Sequence, residues 1–150
     1  MIERCTTVEQ GWLSLREALW PRYTSERHAA EMSTFCANPN RFAQFVAYEG
    51  ARRAVGLVEV SLRSDYVNGT TTSPVAFLEG IYVVPQARLM GIARALVTRA
   101  EQWASSVGCR EFASDARLEN APSHAMHRSL GFGETERVVF FRKPLHENGA

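Results

Sequence analysis

The sequence predicts a mixed α/β fold, one central sheet with helices on both faces. Three observations lead there. From Gly91 to Val107 the apolar residues are Ile92, Ala93, Leu96, Val97, Ala100, Trp103, Ala104 and Val107, which is the i, i+3, i+4, i+7 stripe of an amphipathic helix. Val75 to Val84 is mostly apolar and β-rich, as a central strand is. The remaining segments alternate to give the order β-α-α-β-β-β-α-β-α-β. With 150 residues, the chain is read as a single domain over 1–150, long enough to close one hydrophobic core.

Each element has its own local reason. Ile2 to Cys5 reads as a short strand. Thr7-x-x-Gln10 has the form of a capping box for a helix through Leu13 to Trp20, and Pro21 ends it because the residue before a proline avoids the α region. Ser25 is the expected cap of a second helix that stops near Asn38-Pro39. Phe42 to Tyr48 and Ala54 to Leu62 read as strands joined by a turn near Gly50. Arg63 to Ser73 is polar and contains the turn signal Asn68-Gly69, and Pro85 stops the central strand. Gly108 ends the long helix. Glu111 to Ser114 is a short strand. Ala121 to Leu130 is a helix with Asn120 at its cap and Gly131 after its end. Arg137 to Arg142, with Val138-Val139-Phe140-Phe141, is a final strand.

Composition narrows the function. Hydrophobic residues make up 45% and charged residues 22%, with a net charge of +1, so no global field attracts nucleic acid or anionic lipid. Cys5, Cys36 and Cys109 are widely separated and read as reduced thiols. Met1 to Cys5 has no apolar signal core and no long apolar run occurs, so the expected location is the cytoplasm. His28, His124 and His146 have no metal-ligand spacing, and no metal is expected.

The segment Pro85 to Leu96 carries the chemistry. It follows a strand directly and opens a helix, and Arg88-x-x-Gly91-x-Ala93 puts small residues where backbone N–H groups must approach a ligand. The first N–H groups of a helix lack internal partners and the dipole there favours an anion, so the loop reads as a pyrophosphate seat, with Arg88 adding a charged contact. It lacks both the G-K-[ST] of a P-loop and the three-glycine dinucleotide spacing.

The strand Leu78 to Val84, this loop and the run Asn120-x-x-Ser123-x-x-Met126-His127-x-x-x-Gly131-Phe132 together resemble the GCN5-related N-acetyltransferase (GNAT) superfamily, over roughly Val55 to Phe141. The resemblance implies a mostly antiparallel sheet splayed between its fourth and fifth strands, with the pantetheine arm of acetyl-CoA lying in the gap as the co-substrate. It implies that backbone groups of Ile81 and Val83 pair with that arm. It also implies that Arg88, Leu89, Met90, Gly91, Ile92 and Ala93 hold the pyrophosphate and that Asn120 contacts the pantetheine. The superfamily usually has tyrosine where this chain has His127, so the acid that protonates the leaving thiolate is an open position.

A narrower resemblance is to the aminoglycoside 6'-N-acetyltransferases. It is carried by Leu19-Trp20-Pro21, Arg63 to Gly69, Ser73-Pro74-Val75-x-Phe77-Leu78-Glu79-Gly80, Glu111 to Asp115, and His127 to Arg137. An aminoglycoside is a polycation rich in hydroxyls, so its site needs carboxylates, short polar groups and an aromatic wall. Trp20, Asp65, Tyr66, Glu79, Asp115 and Glu136 are the candidates, since strand ends of an open α/β sheet can bring them together. The amine is protonated in water and must lose that proton before attacking the thioester, and either Glu79 or Asp115 can accept it. A backbone N–H at Tyr82 or Val83 is expected to stabilise the oxyanion. The alternative for Glu79 is a structural ion pair, and for His127 a structural hydrogen bond. A sister acetyltransferase of a polyamine or peptide, or a non-catalytic acyl-CoA sensor, would share the cofactor loop. A homodimer sharing the last strand is a further expectation.

Overall fold

The strands are β1 (Ile2–Arg4), β2 (Phe42–Glu49), β3 (Arg53–Arg63), β4 (Val75–Val83) and β5 (Phe112–Ala113), and the helices are α1 (Gln10–Leu19), α2 (Ser25–Ala37), α3 (Ile92–Ser106) and α4 (Ala121–Ser129). The computed structural model from which they are read describes residues 1–146. The five strands form one sheet in sequence order, antiparallel from β1 to β4 and parallel between β4 and β5. The expected mixed sheet with helices on both faces is therefore present.

Alternation along the strands makes two cores. On one face Leu96, Ala100, Trp103 and Ala104 of α3 pack on Phe45, Val58, Val60, Ala76 and Leu78. On the other, Trp12 and Leu15 of α1 and Met32 of α2 pack on Val46, Tyr48 and Leu57. Each fully buried large aliphatic side chain contributes about 1.5–3 kcal/mol by leaving water.

Two caps differ from expectation. The Thr7 capping box does not form. Glu9 is the N-cap of α1 without a side-chain cap bond, and its carboxylate accepts instead from the Tyr48 hydroxyl at 2.9 Å. Thr24, not Ser25, caps α2 by accepting the Arg27 N–H at 3.1 Å, while Ser25 donates to Glu17.

The expected final strand is also absent among the described residues. Arg137 to Arg142 pairs with no strand of its own chain, and Val138, Val139, Phe140 and Phe141 are exposed, the last by 93%. A strand needs a ladder partner, and β5, with only two paired residues, supplies none along this stretch.

Two irregularities of β4 position the site. Its register with β3 slips between Glu59 and Val60: Gly80 faces Glu59, Leu78 faces Val60, and Glu79 is the extra residue of a β-bulge. The bulge switches the parity of the strand. Ala76 and Leu78 point toward α3 before it, and Ile81 and Val83 after it. On the other side, β4 is held by β5 only at Ala76 and Phe77, so the two strands part beyond that point.

Candidate active site

The parting of β4 and β5 leaves an open strand edge. The Val84 N–H donates to the Val55 carbonyl at 2.9 Å, so Val84 faces β3. Alternation then turns the N–H and C=O of Ile81 and Val83 to the open edge and those of Tyr82 toward β3. Of the two N–H groups named for an oxyanion, Val83 has the accessible position. Val83 also uses its carbonyl, which accepts from Arg88 Nε at 2.9 Å.

The loop expected to hold the cofactor begins where β4 ends. After a 3-10 turn at Pro85–Ala87, Leu89 has φ +64° and Gly91 φ +81°. Left-handed residues in a turn can bring successive N–H groups to one side, the arrangement that suits an anion. None of the N–H groups from Leu89 to Ala93 donates to another group among the described residues, and Ile92 and Ala93 add the free donors of the first turn of α3. A Cβ at Gly91 would meet nothing within 4 Å, so the space beside it is open to a ligand. The Leu89 and Met90 side chains are exposed. Arg88 differs from expectation in direction: it folds back on Val83 and lies 5.7 Å from the Tyr82 ring. Asn120 is occupied as the cap of α4, its Oδ1 accepting the Ser123 N–H at 3.2 Å.

Trp20 and Glu79, expected to meet the acceptor, lie on the opposite face, at the bulge. Two adjoining clefts of about 400 and 750 Å³ share only Phe42 and Glu79. The first is walled by Trp20, Tyr23 and Phe35, and the second contains Arg63, Asp65 and Tyr66. Glu79 thus stands at their junction, with the predicted Trp20 in the first cleft and the predicted Asp65 and Tyr66 in the second. One Glu79 oxygen, Oε1, accepts from Ser61 Oγ at 2.5 Å and from Arg63 Nη2 at 2.8 Å and Nε at 3.3 Å.

Trp20 is held by packing and by a buried polar network. Its ring lies on bare backbone: a Cβ at Gly80 would come within 2.6 Å of it. Arg16 lies 4.8 Å from the ring centroid, and its Nη1 donates to both Glu59 oxygens, at 2.6 and 2.7 Å. Trp12 Nε1 donates to Glu59, Arg16 Nη2 to Glu31, and Arg16 Nε to His28 Nδ1. That acceptor role fixes the His28 proton on Nε2, which donates to the Trp20 carbonyl at 3.1 Å. Desolvation pushes the Glu59 carboxyl above its ordinary value, while Arg16 and Trp12 pull the other way by favouring the anion.

Asp115 and Glu136 line neither of these clefts. In the parallel register Ala113 is level with Phe77, the last paired position, and Asp115 follows two residues beyond it, on the strand side of the gap. Glu136 follows Thr135, whose side chain packs on Gly69 of the loop that carries Asp65 and Tyr66. Glu111 anchors that loop, its Oε1 accepting the Thr71 N–H at 2.9 Å, the Thr72 N–H at 2.8 Å and the Thr72 hydroxyl.

His127 faces the gap from α4. Its Nδ1 lies 2.7 Å from the Ser123 carbonyl, which can only accept, so Nδ1 carries a proton. Its Nε2 lies 2.7 Å from Ser114 Oγ, in the residue that follows β5. Phe132 packs edge-on at 5.3 Å and fixes the ring. A hydroxyl backed by an imidazole can move a proton at the point where the strands part.

The sequence profile of the acetyltransferase (GNAT) family matches residues 12–132. The chain belongs to that family. It is 54% identical over 134 residues, 89% of this chain and 90% of the relative, to an aminoglycoside N(6')-acetyltransferase type 1 of Acinetobacter genomosp. 13. Its fold matches the aminoglycoside antibiotic 6'-N-acetyltransferase AAC(6')-IG from Acinetobacter haemolyticus with TM-score 0.89 and 47% identity, covering 97% of this chain and 99% of that one. It also matches the aminoglycoside N-acetyltransferase AAC(6')-Iy in complex with CoA with TM-score 0.89 and 39% identity, covering 97% and 95%.

Several groups in this acetyltransferase's site escape a reading of the sequence: Arg16, Glu31 and Glu59 beneath Trp20, Ser61 and Arg63 on Glu79, Glu111 under the polar loop, and Ser114 on His127. One signal was available. Glu59 interrupts the apolar run Ala54 to Leu62 just as Glu79 interrupts Val75 to Val84, and a lone carboxylate in a buried strand requires a partner.

Proposed function

We propose that this GNAT enzyme transfers the acetyl group of acetyl-CoA to the 6'-amine of aminoglycosides and thereby confers resistance to them. The observation that carries the reading is the bulge at Glu79. It puts a carboxylate at the junction of two clefts, just beyond the last paired residues of β4 and β5. High identity to aminoglycoside N(6')-acetyltransferases supports the same acceptor.

In this reading Leu89 to Ala93 hold the pyrophosphate, with Arg88 beside them, and the edge groups of Ile81 and Val83 pair with the pantetheine arm, near Asn120. Trp20, Asp65, Tyr66, Glu79, Asp115 and Glu136 surround the polycation. Glu79 or Asp115 takes the ammonium proton. The Val83 N–H stabilises the oxyanion, and the thiolate leaves with a proton supplied through Ser114 and His127. The test is release of free CoA thiol with a panel of aminoglycosides, polyamines and peptides. Turnover confined to aminoglycosides that carry a 6'-amine is expected, and turnover of polyamines or peptides alone would overturn the reading.

The protein acts as one domain, and as a homodimer in the cytoplasm. The exposed run Val138 to Phe141 favours a second copy as its cover, because β pairing between chains would bury it. Three free thiols suit a reducing compartment. Sedimentation at twice the monomer mass, reverting to monomer in Phe141→Asp, checks the dimer.

A further inference from the structure

We infer that Arg63 and Ser61 are positioning residues for Glu79: they fasten one carboxylate oxygen and so aim the other, Oε2, at the acceptor amine. This rests on the function proposed above. A bulge residue lies outside the regular ladder, so the pleat does not set its side-chain direction as it does for Leu78 or Tyr82. Side chains must set it. All three donors within reach, Ser61 Oγ, Arg63 Nη2 and Arg63 Nε, converge on Oε1. Oε2 accepts from no group among the described residues, and it belongs to the residue that lines both clefts. The clamp is itself preset. The Arg63 guanidinium lies 3.5 Å from the centroid of Phe77, which is buried with Val67 and Val75.

Stability does not account for this arrangement. The Arg63 and Glu79 side chains are 43% and 35% exposed, and ion pairs so wet contribute little to folding. Orientation does account for it. With Oε1 held, the proton of the substrate ammonium passes to Oε2: an N–H bond breaks, an O–H bond forms, and the electron pair left on nitrogen forms a C–N bond at the thioester carbon, whose carbonyl pair moves to oxygen and returns as the C–S bond breaks and the CoA thiolate leaves. A rival account has Arg63 occupying the place of a substrate cation that must displace it. The two accounts predict opposite kinetics.

The experiment is steady-state kinetics with kanamycin and acetyl-CoA on Arg63→Met, Arg63→Lys, Ser61→Ala, Glu79→Gln and the double variant Arg63→Met with Glu79→Gln. Methionine keeps contact with Phe77 and removes the fork. In Arg63→Met, kcat should fall by about tenfold to a hundredfold, the scale of a small misplacement of a catalytic group. The acetyl-CoA KM and the thermal midpoint should stay at their wild-type values. Arg63→Lys should recover part of the loss, and Ser61→Ala should lose less. The double variant should be no slower than Glu79→Gln alone, because the clamp acts only through Glu79. A wild-type kcat in Arg63→Met, with or without a lower kanamycin KM, overturns the clamp and favours the displaced-cation account. Additive losses in the double variant overturn it too. If Glu79→Gln is impaired and Arg63→Met is not, only this inference fails. If Glu79→Gln itself keeps wild-type kinetics, the role proposed for Glu79 fails along with it.

Discussion

The two halves of this site are built from different materials. The half proposed for the cofactor is mainly backbone: a loop with Leu89 and Gly91 left-handed, the free donors of one helix start, and the open edge of β4 at Ile81 and Val83. The half proposed for the acceptor is side chains, drawn from α1, α2, β2, β3, the loop 64–74 and β4. Backbone donors are the same for every residue type, so the cofactor half depends on conformation and open space. The acceptor half depends on the charge of particular groups and on what holds each one still.

The largest expected effect tests the first half. In Gly91→Glu, acetyl-CoA affinity measured by calorimetry should fall by more than about 10²-fold, because a carboxylate would face the pyrophosphate. The fold should survive. No atom lies within 4 Å of the new Cβ, and φ +81° costs a non-glycine residue about 1–2 kcal/mol. Unchanged affinity would remove the loop from the cofactor site and collapse the comparison.

The second effect isolates charge on the acceptor side. Glu79→Gln keeps shape and removes charge, so kcat/KM toward aminoglycosides should fall by about 10²- to 10⁴-fold if Glu79 is the base. If Glu79 only holds the substrate, KM rises and kcat is little changed. Asp115→Asn should give the complementary pattern. Neither variant should move the acetyl-CoA KM, and a large change in it would blur the line between the halves.

A third effect reaches the acceptor half through its foundation. Glu59→Gln leaves Arg16 buried beside a neutral amide. Breaking a buried pair outright costs about 3–5 kcal/mol, and Arg16 keeps Glu31, so the loss should be smaller than that and read as a lower midpoint in urea. Because Arg16 also underlies Trp20, the residual folded enzyme should show a raised aminoglycoside KM. A stable Glu59→Gln variant with a normal KM would detach the Trp20 wall from that network.

How much of this is legible in the sequence follows from the same contrast. The helix stripe of Ile92 to Val107, the strand Val75 to Val84 and the loop between them are local patterns, and each is found where expected. Glu79 is visible because it breaks an apolar run. Its bulge is not, since a register slip depends on β3 as much as on β4. Arg16 sits 43 residues from Glu59 and Glu111 39 residues from Thr72, so no spacing rule joins them. Val138 to Phe141 has strand composition but no strand partner among the described residues, which composition alone does not reveal.

The smallest effect concerns the polar loop, where the two kinds of construction meet. Glu111 is a side chain that holds backbone, accepting from the N–H groups of Thr71 and Thr72 and so steadying Asp65 and Tyr66. The Thr72 hydroxyl and then the Thr71 N–H hold the Glu111 carboxyl below its ordinary value. A depressed folded-state value means that its contribution to stability is present above the unfolded carboxylate range and is lost as pH falls through the folded value. Glu111→Gln keeps one carbonyl oxygen for the same donors and loses only the charge. The aminoglycoside KM should therefore rise about two- to threefold, the scale of a weakened hydrogen bond, with acetyl-CoA KM and kcat unchanged. The difference in thermal midpoint between variant and wild type should be constant from neutral pH down to about pH 5 and shrink only below it. A difference that already shrinks between pH 7 and 6 would mean that another titrating group, not Glu111, holds the loop against the sheet.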